Sequence, residues 1–411
     1  MKVVVACWGS RGDVEPNAAV GRELLRRGHD VCMAVPPDLI GFAESAGLPT
    51  VAYGLDWSAT MEVLRPFWSF FWRNPWRIPD LIRFLRESWA LFTRCWQEMS
   101  TTLTSVTDGA DLLFTGQSFE EQASNVAEYY DIPLATLHYN PIRAHGPVRT
   151  AYEWLYWRLS KNVEAAQRRE LGLPKATGPA PRRITERGSL ELQAYDEVCF
   201  PGVADGWAKW AGQRPNVGNL TMDLPTDADE EVASWIAAGT PPIYFGFGCV
   251  PIDSAADMLD MIGAACAQLG ERALFCSGGT DLSDVPHLEH VKVVGAVNHG
   301  AIFPLCRAVV HHGSTGSTAA SLRAGVPTLI LWKLPDQRTV WGAAVKRLKV
   351  GTSRRRSDTT LESLVADLRT ILAPDYATRA REFATRMTKP AESVAVAADL
   401  VEDVARLLRV D

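Results

Sequence analysis

Two adjacent histidines, His311 and His312, separate an apolar run from five small residues in the segment AVVHHGSTGSTAASLRAGVP (residues 308–327). The apolar run predicts a strand, and the pattern after the small residues predicts a helix. Small residues let a ligand approach the backbone, and N–H groups at a helix start favour an anion. A histidine beside them can donate a hydrogen bond or carry charge toward a phosphate. The segment predicts a diphosphate cradle formed by His311, Gly313, Ser314, Thr315, Gly316, Ser317 and Thr318.

An ordinary strand–helix turn is the alternative for this segment, with Ser317 or Thr318 as the helix cap and the histidines solvated. A cap accounts for one hydroxyl but not for five small residues behind two histidines, so the cradle is favoured. The P-loop pattern and G-x-G-x-x-G are both missing, which leaves an NAD site unsupported. The two histidines of HLEH (residues 287–290) lack a third ligand, so no metal site is predicted.

Length and charge limit the classes of protein that are possible. A chain of 411 residues exceeds what one core usually supports, so two domains are expected. The net charge of −6 argues against nucleic acid as a partner. Eight singly scattered cysteines and the lack of a long apolar segment at the start predict a cytoplasmic protein without a signal peptide.

Strand and helix patterns alternate in both halves of the chain, which predicts an α/β fold of two tandem Rossmann-like domains with parallel sheets. The first domain is expected over residues 1–215 and the second over residues 241–385. The polar, acidic passage 216–240 is the predicted linker. A final helix within residues 386–411 could pack on either domain.

Residues 57–99 interleave tryptophan, phenylalanine and arginine, an unusual density for a Rossmann-like domain. The helical part of this segment is expected to pack partly in a core. The portion RPFWSFFWRNPWR, with Trp68 and Trp72, is harder to bury and predicts an apolar surface. We therefore expect a hydrophobic lipid or lipopeptide acceptor and peripheral contact with the inner face of the membrane.

The sequence VVHHGSTGSTAASLRAGVPTLILWKLPDQ resembles the donor-binding signature of family 1 glycosyltransferases of the GT-B fold. WGSRGDVEP, near the start, resembles the acceptor-side loop of the branch that glycosylates antibiotic aglycones, sterols and lipids. The resemblance covers nearly the whole chain and is closest to mycobacterial glycosyltransferases of cell-surface glycopeptidolipids. It implies two domains facing across a cleft, an N-terminal acceptor domain and a C-terminal donor domain.

This resemblance also implies roles for individual residues in an inverting transfer from a UDP- or dTDP-sugar without a metal. Asp13 matches the general base for the acceptor hydroxyl, although an aspartate before VEP is also typical of a helix cap. The acceptor-loop residues are Ser10, Arg11 and Gly12, and the nucleotide-sugar residues outside the cradle are Gly248, Cys249, Val297, Asn298, Asp336 and Gln337.

Departures from the family pattern leave two other functions open. Cys249 replaces a serine at the end of the GFG strand, and Gly279 stands where relatives carry a tryptophan near the base. A thiol is a poor hydrogen-bond donor and a missing aromatic removes a stacking surface, so weaker donor binding is expected. The alternatives are a catalytically impaired sugar-nucleotide-binding protein and a nucleotide-sugar epimerase, against which the tryptophan-rich segment counts.

Overall fold

A computed structural model describes residues 1–64, 78–141, 147–248, 254–278, 288–334 and 337–407. The chain forms two compact units, one of Met1–Ala194, Gly202–Met222 and Pro390–Asp411, the other of Tyr195–Pro201 and Asp223–Lys389. Each unit is built on a six-stranded parallel sheet. The predicted α/β fold with two Rossmann-like domains is therefore confirmed.

The sheet of the first unit has the strand order β3-β2-β1-β4-β5-β6. Its central strand is the run KVVVA, in which Val3, Val4 and Val5 are fully buried, as expected for a parallel strand covered on both faces. The strands are β1 (Lys2–Ala6), β2 (Asp30–Val35), β3 (Thr50–Ala52), β4 (Leu112–Gly116), β5 (Leu134–His138) and β6 (Leu190–Gln193). The helices are α1 (Arg11–Arg26), α2 (Ile40–Ser45), α3 (Ile78–Thr107), α4 (Glu120–Tyr130), α5 (Pro147–Glu170) and α6 (Ala180–Glu186).

The second unit repeats this arrangement with the order β12-β11-β10-β7-β8-β9. Its strands are β7 (Ile243–Gly246), β8 (Ala273–Cys276), β9 (Val291–Val294), β10 (Ala308–His311), β11 (Thr328–Trp332) and β12 (Gly351–Arg355). Its helices are α7 (Asp229–Ala237), α8 (Ala255–Leu269), α9 (His299–Ile302), α10 (Thr315–Arg323), α11 (Ala343–Arg347), α12 (Leu361–Ile371) and α13 (Pro374–Ala384).

Each sheet reverses its strand order at one place, between β1 and β4 in the first unit and between β7 and β10 in the second. Ligands of open α/β sheets bind beyond the carboxyl ends of the strands at this switch point. Asp13 follows β1, and the histidine pair ends β10. The two predicted sites therefore lie at the switch points of their own sheets.

The predicted linker 216–240 differs from the structure. Residues up to Met222 belong to the first unit, and α7 buries Val232 and Ile236 in the core of the second. Tyr195–Pro201, inside the predicted first domain, also belongs to the second unit. The polar and acidic residues that precede Val232 favour a linker, whereas the apolar positions of α7 begin only at Val232.

The last helix, α14 (Pro390–Leu407), packs against α1 in the first unit. Arg27 Nη1 lies 2.6 Å from Asp399 Oδ1, and His29 Nε2 lies 2.7 Å from Glu402 Oε1. The apolar spacing of this helix predicts a face that packs against a domain, and that domain is the first unit, where Arg27 and His29, just after α1, pair with the carboxylates of α14.

Candidate active site

Asp13 belongs to the first turn of α1, directly after the loop that follows β1. Its Oδ2 accepts hydrogen bonds from the backbone N–H of Ser10, at 2.7 Å, and from the Ser10 hydroxyl, at 2.8 Å. The carboxylate thus forms the acidic half of a capping box. Ser10 is the N-cap and Asp13 is the third residue of the helix, so the alternative prediction of Asp13 as the cap itself is wrong. The other carboxylate oxygen is left for a different partner.

That partner is the phenolic hydroxyl of Tyr139, which donates to Asp13 Oδ1. Tyr139 directly follows β5, is only 7% exposed, and is also hydrogen-bonded to Ser118. Burial raises the pKa of the Asp13 carboxyl above its ordinary value, although hydrogen bonds from Tyr139 and Ser10 act to lower it. A carboxylate with a raised pKa is a better proton acceptor, which suits a general base.

The other predicted acceptor-loop residues take different positions. Arg11 and Gly12 are exposed. The Arg11 guanidinium lies 3.1 Å from Glu15 Oε2 and 4.6 Å from the ring centre of Phe42. Only Ser10 of the three contacts the Asp13 side chain through a hydrogen bond among the described residues.

A cavity of about 330 Å³ lies at the carboxyl ends of β4 and β5. Tyr156 donates to Glu121 Oε1 at 3.1 Å, and His138 Nε2 lies 3.1 Å from Glu120 Oε2. Burial raises the pKa of Glu121 to about 7. The lining also includes Ser118, which is hydrogen-bonded to Tyr139, and Asn140, which follows Tyr139 in the chain. Its four acidic side chains are Glu120, Glu121, Glu153 and Glu164.

In the second unit, His311 is fully buried at the end of β10. Its Nδ1 accepts the N–H of Gly313 at 2.9 Å, so the ring proton is on Nε2. Burial lowers the pKa of His311 well below its ordinary value, and the ring is neutral. Nε2 has no hydrogen-bond partner among the described residues. His311 can therefore donate to a ligand, whereas the alternative of a charged imidazolium does not fit this burial.

His312 brings two strand-end loops together. Burial lowers its pKa to about 4, and its ring lies against Gly248, where an added Cβ would be 3.0 Å from His312 Cε1. Gly313 has φ +96°, and an added Cβ would lie 2.8 Å from Ile330 Cγ2 and 3.3 Å from Gln337 Cβ. The predicted donor residues Gly248, Gly313 and Gln337 are thus neighbours of the histidine pair.

Two hydroxyl groups of the cradle, those of Ser314 and Thr318, form hydrogen bonds with the first turn of the helix. Ser314 caps α10, since its Oγ accepts the N–H of Ser317 at 3.3 Å, so neither Ser317 nor Thr318 is the cap. Thr318 is buried and donates to the Ser314 carbonyl at 2.6 Å, so its hydroxyl bonds the helix backbone, contrary to the prediction of a ligand contact. Ser314, Thr315, Gly316 and Ser317 are half-buried at the N-terminus of the helix.

Polar side chains at the neighbouring strand ends have structural partners. Gln337 Oε1 accepts the N–H groups of Lys333 and Leu334, at 2.9 and 3.0 Å, which leaves its amide NH₂ for a ligand. The Asn298 side chain caps α9 through the N–H of Gly300, at 2.9 Å, and Val297 before it is buried. Cys249, Gly279, Asp336, Trp68 and Trp72 lie outside the described residues.

Comparison with known proteins decides the family. Residues 3–106 match the glycosyltransferase family 28 N-terminal domain, and residues 260–407 match the erythromycin biosynthesis protein CIII-like C-terminal domain. An uncharacterized glycosyltransferase of Mycobacterium tuberculosis is 60% identical over 100% of both chains. The chain belongs to the glycosyltransferases.

More distant glycosyltransferases extend the likeness to proteins of Amycolatopsis and Streptomyces. Glycosyltransferase GtfE of Amycolatopsis orientalis is 28% identical over 98% of this chain and 97% of its own. SsfS6 of Streptomyces sp. SF2575, solved with thymidine diphosphate, matches with a TM-score of 0.63 at 18% identity, covering 97% of this chain and 99% of its own. The predicted family resemblance and the GT-B fold are confirmed.

The sequence did not single out Tyr139, Ser118 or the carboxylates of the cavity as residues of this glycosyltransferase. A signal was present, because β5 is followed by Tyr139 and Asn140, and side chains at the carboxyl end of a parallel strand face the ligand edge of the sheet.

The described residues also bear on whether the chain holds a metal site or a membrane-spanning helix. No group of three potential metal ligands gathers there, and no helix there is long and apolar enough to cross a bilayer.

Proposed function

We propose that this glycosyltransferase is an inverting enzyme that transfers a sugar from a nucleoside-diphosphate sugar to an acceptor hydroxyl. The observation that carries the proposal is the Asp13 carboxylate, half-buried at the switch point of its sheet and held by hydrogen bonds to both oxygens. The thymidine diphosphate bound by SsfS6 supports a UDP- or dTDP-sugar as donor.

The reaction needs one proton acceptor and one group that stabilises the leaving diphosphate. Asp13 takes the proton of the acceptor hydroxyl as its oxygen attacks the anomeric carbon. The bond between that carbon and the diphosphate oxygen breaks, and the electron pair leaves with the diphosphate. The N–H groups of α10 and the Nε2–H of His311 stabilise this charge, so the reaction requires no metal.

The acceptor that we propose is a lipid, lipopeptide or natural product with a hydroxyl-bearing polar end. A sterol 3-beta-glucosyltransferase of Arabidopsis thaliana, 26% identical over 97% of this chain and 67% of its own, supports a hydrophobic acceptor. The glutamates that line the cavity beside Tyr139 can accept hydrogen bonds from the hydroxyl groups of an acceptor. The hydrophobic part of the acceptor then contacts surfaces outside this cavity. In this proposal the enzyme acts in the cytoplasm, at the inner face of the membrane, in glycolipid biosynthesis for the cell envelope.

A mass-spectrometric screen tests the proposal by pairing UDP- and dTDP-sugars with extracted cell-envelope lipids and recording the mass added. Replacing Asp13 with Asn should reduce transfer by about 10²–10⁴-fold while leaving donor binding intact. Transfer that stops in EDTA would contradict the metal-free mechanism. Donor binding without transfer to any acceptor would instead favour the sugar-nucleotide-binding alternative, and interconversion of free nucleotide sugars would favour an epimerase.

A further inference from the structure

A groove of about 640 Å³ lies along the edge strand β12 of the second unit, two strands from the cradle strand β10 in the sheet order. It is lined by the last residue of β11, Trp332, and by four basic side chains. Among the residues that the structure describes, two carboxylates, Asp358 and Asp367, share the lining. The groove thus carries a local excess of positive charge in a chain whose net charge is −6.

Three of the basic side chains have no ion-pair partner in the part of the chain that the structure describes. Arg354 donates to both oxygens of Asp367, through Nε and, at 3.1 Å, through Nη2. Arg338, Lys346 and Arg355 are exposed and form no ion pair among the described residues. Exposed cations without an ion pair that gather in one groove attract an anion, since Asp358 is the one lining carboxylate of the described residues that Arg354 does not bind.

The groove combines basic side chains with an aromatic and a nearby aliphatic side chain, which is the composition of an interface and not only of a phosphate-binding site. The guanidinium groups of Arg338 and Arg355 lie 5.5 and 5.9 Å from the ring centre of Trp332. Leu334, two residues further along the chain, is 48% exposed. Tryptophan, arginine and an exposed aliphatic side chain are the residues that bind proteins to the headgroup layer of an anionic bilayer.

We propose that this groove docks the second unit on the headgroups of an anionic bilayer. The inference rests on the peripheral membrane contact proposed above and names the surface that makes it. Anionic headgroups pair with Arg338, Lys346 and Arg355, while Trp332 and Leu334 face the headgroup layer. A basic side chain near such a surface increases partitioning by about fivefold, so the three together supply roughly a hundredfold.

Co-sedimentation with phosphatidylglycerol vesicles, and with phosphatidylcholine vesicles as the neutral surface, tests the docking. The variant R338Q/K346Q/R355Q should lose roughly a hundredfold in partitioning to the anionic vesicles. The matched control R22Q/K161Q/R369Q removes three exposed cations that lie elsewhere and should bind as the wild type does. Binding should weaken as salt rises, since screening acts over about 8 Å at physiological ionic strength.

Several outcomes overturn the docking surface. Full binding by the triple variant would move the contact elsewhere, and loss of binding on replacing Trp68 and Trp72 would then assign it to the tryptophan-rich segment. Failure of the wild-type chain to bind would remove both the groove and the membrane contact. Calorimetric binding of soluble glycerol phosphate at the groove without vesicle binding would make it a small-anion site.

Two measurements keep these outcomes interpretable. Nucleoside-diphosphate binding by each variant reports whether the second unit is folded, and the single variant R355Q, with an expected loss of about fivefold, replaces a triple variant that fails to fold. Transfer to a detergent-solubilised acceptor should be unchanged in R338Q/K346Q/R355Q. If the wild-type protein transferred no sugar, the proposed function would be wrong. Vesicle binding tests the groove independently of sugar transfer.

Discussion

The hydroxyl of Tyr139 donates to Asp13 Oδ1 across 126 positions of the chain. The contact joins the loop after β5 to the first turn of α1, and it depends on β1, β4 and β5 being adjacent in the sheet. Ser10 binds the other oxygen of the same carboxylate. Asp13 therefore has a fixed orientation, and its proton affinity depends on a phenol that is distant in sequence.

Replacing Tyr139 with Phe should move the acidic limb of the pH profile of kcat/KM to higher pH. Loss of the phenolic donor destabilises the Asp13 carboxylate, so the carboxyl pKa, already raised by burial, rises further. A base is inactive when protonated, so activity at low pH falls more than activity at high pH. Tyr130→Phe is the control, because the Tyr130 hydroxyl donates at 2.8 Å to the Thr104 carbonyl, away from Asp13. An unshifted profile would show that Tyr139 does not tune the base.

Replacing His311 with Gln should weaken binding of a nucleoside diphosphate by about 10–150-fold, the effect of one hydrogen bond to a charged group. Burial holds the His311 pKa well below its ordinary value, so the ring stays neutral and its contribution should be flat from about pH 6 to 8. Titration calorimetry with UDP and dTDP at several pH values measures both. His290→Gln, which changes a ring bonded to the Gly263 carbonyl at 2.9 Å, is the control. Affinity that falls as pH rises through this range would instead indicate a charged imidazolium.

Gly313→Ala should destabilise the second unit by about 1 kcal/mol or more. The residue has φ +96°, and a Cβ would lie 2.8 Å from Ile330 Cγ2. Gly316→Ala is the matched change in the same cradle, because a Cβ there meets no atom within 4 Å. Urea unfolding should show a loss for the first variant and none for the second. Equal unfolding free energies would mean that the loop adapts to a side chain at Gly313.

Glu121→Gln should flatten the pH dependence of stability between about pH 4.5 and 7. Burial raises the folded pKa of Glu121 to about 7, so its favourable contribution is full below the unfolded pKa and is lost as pH rises through the folded value. The variant should therefore gain up to about 3 kcal/mol over the wild type at pH ~8 and little at pH ~4. Urea unfolding at the two pH values measures this, with the exposed Glu186→Gln as control. A gain of equal size at both pH values would contradict the raised pKa.

The sequence by itself determined the α/β class, the two parallel sheets, the position of the histidine–glycine loop and the place of Asp13 after the first strand. These features follow from local patterns, since buried parallel strands are continuous apolar runs and a strand–turn–helix unit is complete within about 30 residues. The boundaries between the two units were harder to predict from the sequence. Short crossing segments such as Tyr195–Pro201 have no composition that assigns them to either unit.

Tertiary structure alone decided how the site is tuned. The neutral state of His311 follows from its burial in the sheet, and the capping role of Ser314 from one hydrogen bond within a run of similar residues. The contact of Tyr139 with Asp13 depends on strand order, and the gathering of glutamates around one cavity depends on the packing of α4 against α5. Strand order is a long-range property: each strand pattern is satisfied by burial anywhere in the sheet, so only the folded chain specifies which strand ends meet.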